Sequence, residues 1–377
     1  MPKTINSSIT VDVIKASVVQ NIVTGTPTIQ NPETVNLSDA LSRLTAWYDN
    51  INWSTEATYN DIHGLFVDPY LTFTGTQSFT LKTSTGGLWN GTIEYSTDKT
   101  NWSTWDKSIS GSAPIASGSG KVLYLRGKNN THISAISESD YSSFVFTTTG
   151  TIACTGDIRT LLDYEDPENT TMDSYCYAYM FRDCTSLAVA PELPATTLTD
   201  YCYEFMFRGC TSLTAITVLP ATTLAIQCYS NMFRGCTSLT AIPALPATTL
   251  ATGCYMDMFV GCTSLTTIPV LPATTLASYC YSNMFNGCTS ITTIPTLPVR
   301  TLANHCYEYM FHNCTKIKFS KTQTGDYQTP YRIPTRGSGT TGTDSLTSMF
   351  ANTGGTFTGT PSINTTYYTS NTVVSAS

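Results

Sequence analysis

Between Cys176 and Cys314 the apolar positions recur every 26 residues. In the copy CYSNMFRGCTSLTAIPALPATTLA, apolar side chains fall at Cys228, Tyr229, Met232, Phe233 and Cys236. That i, i+1, i+4, i+5, i+8 spacing places them on one side of a helix and predicts a short amphipathic helix. Gly235 and its equivalents Gly209, Gly261 and Gly287 stand where such a helix would end. Leu239, Ile242 and Leu245 follow, then Pro246. This half predicts a short extended segment, because proline cannot join a ladder paired on both sides. A coil of one helix and one short strand cannot bury its apolar face alone; stacked copies build a continuous core.

Six copies lie in register. One cysteine column is Cys176, Cys202, Cys228, Cys254, Cys280 and Cys306; the other is Cys184, Cys210, Cys236, Cys262, Cys288 and Cys314. Met–Phe pairs follow the same step, from Met180–Phe181 to Met310–Phe311. Stacked one strand spacing apart, about 4.8 Å, the cysteines form two ladders. They are read as small core residues making weak S–H bonds to backbone. Disulfides would need Cβ atoms about 3.8 Å apart and would strain a regular ladder. The cysteines of one copy stand too far apart for a zinc motif, and no histidine recurs with them. No metal and no cofactor is expected. Residues 344–350, DSLTSMF, repeat the pattern as a degenerate seventh copy, with Ser345 and Thr353 in the cysteine places, as in a solvent-facing cap. At the other end, Ile152, Ile158, Leu161 and Leu162 are placed to close the open core.

Residues 70–148 change character. Alternating β-branched and aromatic runs, split by Gly, Asn and Ser, predict the short antiparallel strands of a small β-sandwich. Trp102, Trp105 and Tyr124 form either a sugar platform or, the favoured reading, core and edge packing. In residues 36–51, Leu37, Leu44 and Ile51 are seven apart, as are Ala40 and Trp47. That is an a/d seam of two heptads, a trimerisation element too short to hold chains together alone; a lone amphipathic helix is the alternative. The expected architecture is mixed α+β and multi-domain: residues 1–66 for particle attachment and trimerisation with a short coiled coil, 67–148 a small β-sandwich, and 149–377 a leucine-rich-repeat solenoid of six 26-residue copies with caps.

Composition narrows the function. Only 12% of the 377 residues are charged and the net charge is −7, with no run of Lys or Arg, which argues against nucleic acid. No apolar run is long enough to span a membrane. The first residues lack the apolar core of a signal peptide, so an adhesin-like chain is expected to reach the outside by lysis and particle release. Asp183, Glu192, Glu204, Asp257 and Glu308 fall in different phases of the repeat, so no catalytic carboxylate pair is formed and no enzyme is expected. Binding is expected at positions that vary between copies. One such column reads Arg182, Arg208, Arg234, Val260, Asn286, His312. Its arginines form a stripe suited to acidic sugars or phosphates, or else a solvated face. A neighbouring pair of columns contains Ala178–Tyr179, Glu204–Phe205, Ser230–Asn231 and Glu308–Tyr309. Arg182, Arg208, Arg234, Tyr179, Phe205 and Tyr309 are therefore the candidate ligand-binding residues.

The M-F-x-G-C-T-S-L-T core of the repeat resembles the BspA-like leucine-rich repeats of Bacteroidetes surface proteins. EYSTDKTNWSTWD, VLYLRG and TGDIRTLLDY look like the segment that leads into such repeats in gut bacteria and their phages. EATYNDIHG (56–64) is similar to the A-x-Y-N-D-L-x-G element of trimeric phage fibres, departing at Ile62 and His63. The resemblance implies a head or tail fibre of a crAss-like phage: a homotrimer on the virion surface, docked on other virion proteins through its N-terminus. Its repeats would be displayed towards a host cell-surface protein or glycan. A bacterial surface adhesin is the alternative, and a glycan depolymerase a remote one.

Overall fold

The computed structural model describes residues 68–107, 115–116, 121–216 and 218–375. Leu37, Ala40, Leu44, Trp47 and Ile51 lie outside them. The described chain begins with strands β1 (Leu71–Gly75), β2 (Phe79–Thr83), β3 (Thr92–Ser96), β4 (Ser103–Thr104), β5 (Ile115–Ala116), β6 (Val122–Lys128), β7 (Phe144–Thr147), β8 (Ile152–Thr155) and β9 (Leu187–Val189). They form two sheets, ordered β4-β3-β6-β1-β8-β9 and β5-β2-β7. Alternation decides which side faces in: Leu71 and Phe73 on β1, Phe79 and Leu81 on β2, and Leu123 and Leu125 on β6 are all buried. Phe73 meets Phe146 across the sheets at 5.6 Å. Pairing is antiparallel until the last step, where β8 runs parallel to β9 of the first repeat. One sheet thus passes into the solenoid, and a single apolar core runs from Leu71 to Tyr367. Ile152, Ile158, Leu161 and Leu162 are fully buried at the junction.

The repeats are not helical. Among the described residues there is no α-helix and no coiled coil, only two 3-10 turns, Ile158–Leu161 and Pro167–Asn169. The predicted mixed α+β class is therefore corrected to β-strands and stacked turns. In the third coil, the N–H groups of Ser230, Met232, Arg234 and Cys236 donate to the carbonyls three residues back. Those of Tyr229, Asn231, Phe233 and Gly235 donate sideways to Cys254, Met256, Met258 and Val260 of the next coil. Every second amide is thus spent between coils, which no α-helix permits. Side chains run two in, two out, with a period of four, and the second outward residue of each pair has positive φ: Gln227 at 50°, Asn231 at 56°, Gly235 at 75°. The glycines read as helix ends are the third of these left-handed positions.

Two further facts explain the failure of the helical reading. Over nine residues a period of 4 and one of 3.6 pick out the same apolar positions. Spacing separates them: Phe207 stacks on Phe233 at 5.5 Å and Tyr229 on Tyr255 at 5.8 Å. Packed helices stand about 8–10 Å apart, so rings repeated this closely need flat, laterally bonded coils.

The seventh copy completes the stack, with Tyr307 N–H donating to Ser345, Tyr309 to Thr347 and Phe311 to Met349. It is not the solvent-facing end: Ser345 and Thr353 are both buried. β11 (Phe319–Ser320), β12 (Thr329–Arg332) and β13 (Thr366–Thr369) form a small sheet over it, and Phe319 lies 4.3 Å from Phe350. β14 (Thr372–Val374) returns to pair with β10 (Thr293–Pro295) of the fifth copy.

Candidate binding surface

The inward columns are uniform. All thirteen cysteines are buried free thiols. In the second ladder, Cys210, Cys236 and Cys262 donate S–H to the carbonyls of Phe181, Phe207 and Phe233 at 3.1 Å. Burial pushes these thiols up, Cys228, Cys262, Cys280 and Cys314 to about 12, so they carry no thiolate at neutral pH. Among the described residues no group of three or more His, Cys, Asp or Glu is placed to hold a metal.

The outward left-handed columns vary. The first reads Tyr175, Tyr201, Gln227, Gly253, Tyr279, His305, Asp344; the second reads Tyr179, Phe205, Asn231, Asp257, Asn283, Tyr309, Ser348. Glycine and asparagine suit positive φ, but a tyrosine or phenylalanine there costs about 1–2 kcal/mol. The rings recover part of this by stacking. Tyr175 lies 4.5 Å from Tyr201, Tyr179 lies 5.0 Å from Phe205 and Tyr279 lies 4.4 Å from His305.

A loop from the sandwich joins the second stack. Residue 135 bridges Tyr141, and the Tyr141 ring covers Tyr179 at 4.1 Å. Tyr179 is therefore buried in a small separate cluster with Ala135 and Ala178, not displayed. Arg182 Nη1 donates to the Tyr141 hydroxyl at 2.7 Å, and its Nε stands 3.3 Å from Asp183. Arg208 lies over the Phe205 ring at 5.5 Å. Arg234 Nη1 donates to Asn231 at 3.3 Å and faces Asp257 at 3.6 Å. Each arginine turns back on a residue of the second outward column, so the stripe is three differently engaged cations. Arg182, Arg208, Tyr179 and Phe205 are brought together in the first two coils. Tyr309 stands four coils away, edge-on to His312 at 5.5 Å. Of the other aromatics, Trp105 is buried against Trp89, while Trp102 lies under the Arg126 guanidinium at 3.9 Å; both serve packing.

The sequence reading passed over Tyr141, Tyr175, Tyr201 and the importance of Glu204. Glu204 is only 6% exposed, and its Oε2 has no hydrogen-bond partner. Burial, with Glu138 nearby, raises its pKa to about 7. The signal was available: Glu204 follows the inward Tyr203, in a column that elsewhere holds Ala, Ser, Met and one other carboxylate, Glu308.

A family model described as BspA type leucine rich repeat region matches residues 170–318 in six copies. The chain thus carries a BspA-like leucine-rich-repeat region, a type that is typically a non-catalytic binding module and suggests adhesion or surface binding. No curated protein and no solved structure gives a significant match.

Proposed function

We propose that this chain is a structural fibre protein of a bacteriophage particle, a head or tail fibre whose repeat array adheres to the host surface. It would assemble as a homotrimer, dock on other virion proteins through residues 1–66, and carry its repeats on the virion surface. The observation that carries the adhesive half is the outward turn wall. Tyr201, Tyr279 and Tyr309 occupy left-handed positions there against their backbone preference, on the same wall as the arginines and outside the buried clusters, where core packing requires neither. The fibre half rests on the similarity of residues 56–64 to a fibre element. A surface adhesin of a bacterium remains the second reading, favoured by the six repeats alone.

Light scattering on the full chain and on residues 68–377 tests the assembly. That cut spares the sheet shared by sandwich and repeats, which a cut at residue 149 would sever. A full-length trimer that becomes a monomer supports the fibre; a monomeric full chain supports the adhesin. Replacing Arg182, Arg208 and Arg234 together by Ala should weaken attachment to host cells while the fold persists. Unchanged attachment removes these cations from the binding face.

A further inference from the structure

The repeat supplies an internal control for Glu204. Its column reads Ala178, Glu204, Ser230, Met256, Ser282, Glu308. Ser230 accepts from Asn231 Nδ2 at 3.0 Å and Ser282 from Asn283 Nδ2 at 3.3 Å. Glu308, the only other carboxylate in the column, lies 2.8 Å from Nδ1 of His305, three residues earlier and stacked on Tyr279. In the second coil the residue three before Glu204 is Tyr201, stacked on Tyr175. The backbone frame and the ring stack are the same, but the nitrogen is missing. Glu204 is left as the orphan acceptor of its column.

No group nearby replaces that nitrogen. The charged or titratable neighbours are Glu138 on the 135–141 loop and the phenols of Tyr175 and Tyr179 on the preceding coil. The following coil presents Ser230 and Asn231, both neutral. The arginines of the first two coils are engaged elsewhere, Arg182 with the Tyr141 hydroxyl and Asp183 and Arg208 over the Phe205 ring. A buried, unpaired carboxylate is unfavourable by several kcal/mol, and a cation brought from outside removes that penalty.

We propose that Glu204, flanked by the Tyr175–Tyr201 and Tyr179–Phe205 stacks, is the anchor point for a primary ammonium group, that of a lysine side chain on a partner protein. The acceptor asks for an N–H donor, which excludes quaternary amines. Because Oε2 is buried, the flanking side chains must part to admit the nitrogen, and lysine's narrow stem of four methylenes asks the least displacement of them. The net charge of −7 favours a basic partner. This deepens the adhesive reading of the turn wall and does not depend on the trimer.

The test is a calorimetric titration of the full chain with Nα-acetyl-lysine methylamide at pH 8, beside its norleucine analogue and glucosamine. Saturable binding of the lysine compound alone is expected. It should weaken at least about tenfold in Glu204→Gln, the limit of one lost unit of binding free energy of about 1.4 kcal/mol. It should also weaken about tenfold for each pH unit below about 7. Tyr201→His, which rebuilds the His305–Glu308 pair in the second coil, should abolish binding and raise the melting temperature; it decides the matter if Glu204→Gln fails to fold. Equal binding by Glu204→Gln, or by the norleucine analogue, or none by the native chain, overturns the site. Equal binding of glucosamine overturns the lysine assignment. Cell attachment measured on the same variants separates the two claims: attachment that persists without lysine binding sinks the site and leaves the adhesive wall standing.

Discussion

The two walls of the solenoid obey different rules. The inner wall repeats Cys, Tyr, Met, Phe and Cys through all six copies, and every one of these side chains is buried. Each ring lies 5.5–5.8 Å from its equivalent on the next coil, so a column tolerates one shape and no other. The outer wall has the same backbone, with a left-handed residue every fourth position, yet its side chains run from glycine to tyrosine. Packing accounts for the inner wall completely. On the outer wall it accounts for the glycines and asparagines but leaves the tyrosines, the phenylalanine and Glu204 unexplained. Tyr179 fills the small cluster under Tyr141, with Tyr175 and Phe205 packed against it; the others cost stability and fill no core, and binding belongs among them.

The strongest way to break this comparison is to attack the inner wall. Phe233→Ala, in the middle of the array, opens a cavity in a ring stack and should cost about 3–5 kcal/mol, read by urea denaturation. A cost under about 1 kcal/mol would mean the coils are not close-packed.

The orphan carboxylate comes next. The folded chain holds a proton on Glu204 that the unfolded chain releases, so stability should fall as pH rises from about 4.5 through about 7. The loss approaches about 3 kcal/mol for a shift of this size. Glu204→Gln should remove that segment of the stability–pH curve and be the more stable protein at pH 8. A native chain with the same slope as the variant would show that Glu204 already has a partner.

The repeat register, both cysteine columns, the degenerate seventh copy and the burial of Ile152, Ile158, Leu161 and Leu162 could all be read from the sequence, because each follows from apolar periodicity; that these four join the repeat core to the sandwich core instead of closing it could not. The turn ribbon could not be read from apolar positions alone. Cys228, Met232 and Cys236 fit a helix as well as a four-residue turn. Only Asn231 and Gly235, four apart, carry the distinguishing signal, and it is blurred where Tyr175, Tyr179 and Phe205 occupy the same backbone. Candidate site residues were half legible for a related reason. Variability between copies pointed to Arg182, Phe205 and Tyr309, but burial of Tyr179 depends on Tyr141, which lies 38 residues away on the sandwich loop.

Smaller changes sharpen the distinction between the walls. Gly235→Ala adds a Cβ that meets only Gly209, at 3.8 Å, so no clash arises and the cost is conformational. It should be about 1 kcal/mol by thermal unfolding; a neutral result would mean the position is not left-handed. Arg234→Ala should change stability least, by under about 1 kcal/mol, because its ion pair with Asp257 is partly exposed. A larger loss would make the arginine a structural residue and remove it from the binding wall.

The central claim is that each copy's Cys-to-Cys half is a laterally bonded turn ribbon, which is what turns the variable residues outward in two regular columns. Far-ultraviolet circular dichroism of residues 68–377 tests this most directly. Laterally bonded turns should give a spectrum without the double minimum of an α-helix. A clear helical double minimum, from six copies each folded as a short helix, would contradict it and dissolve both columns.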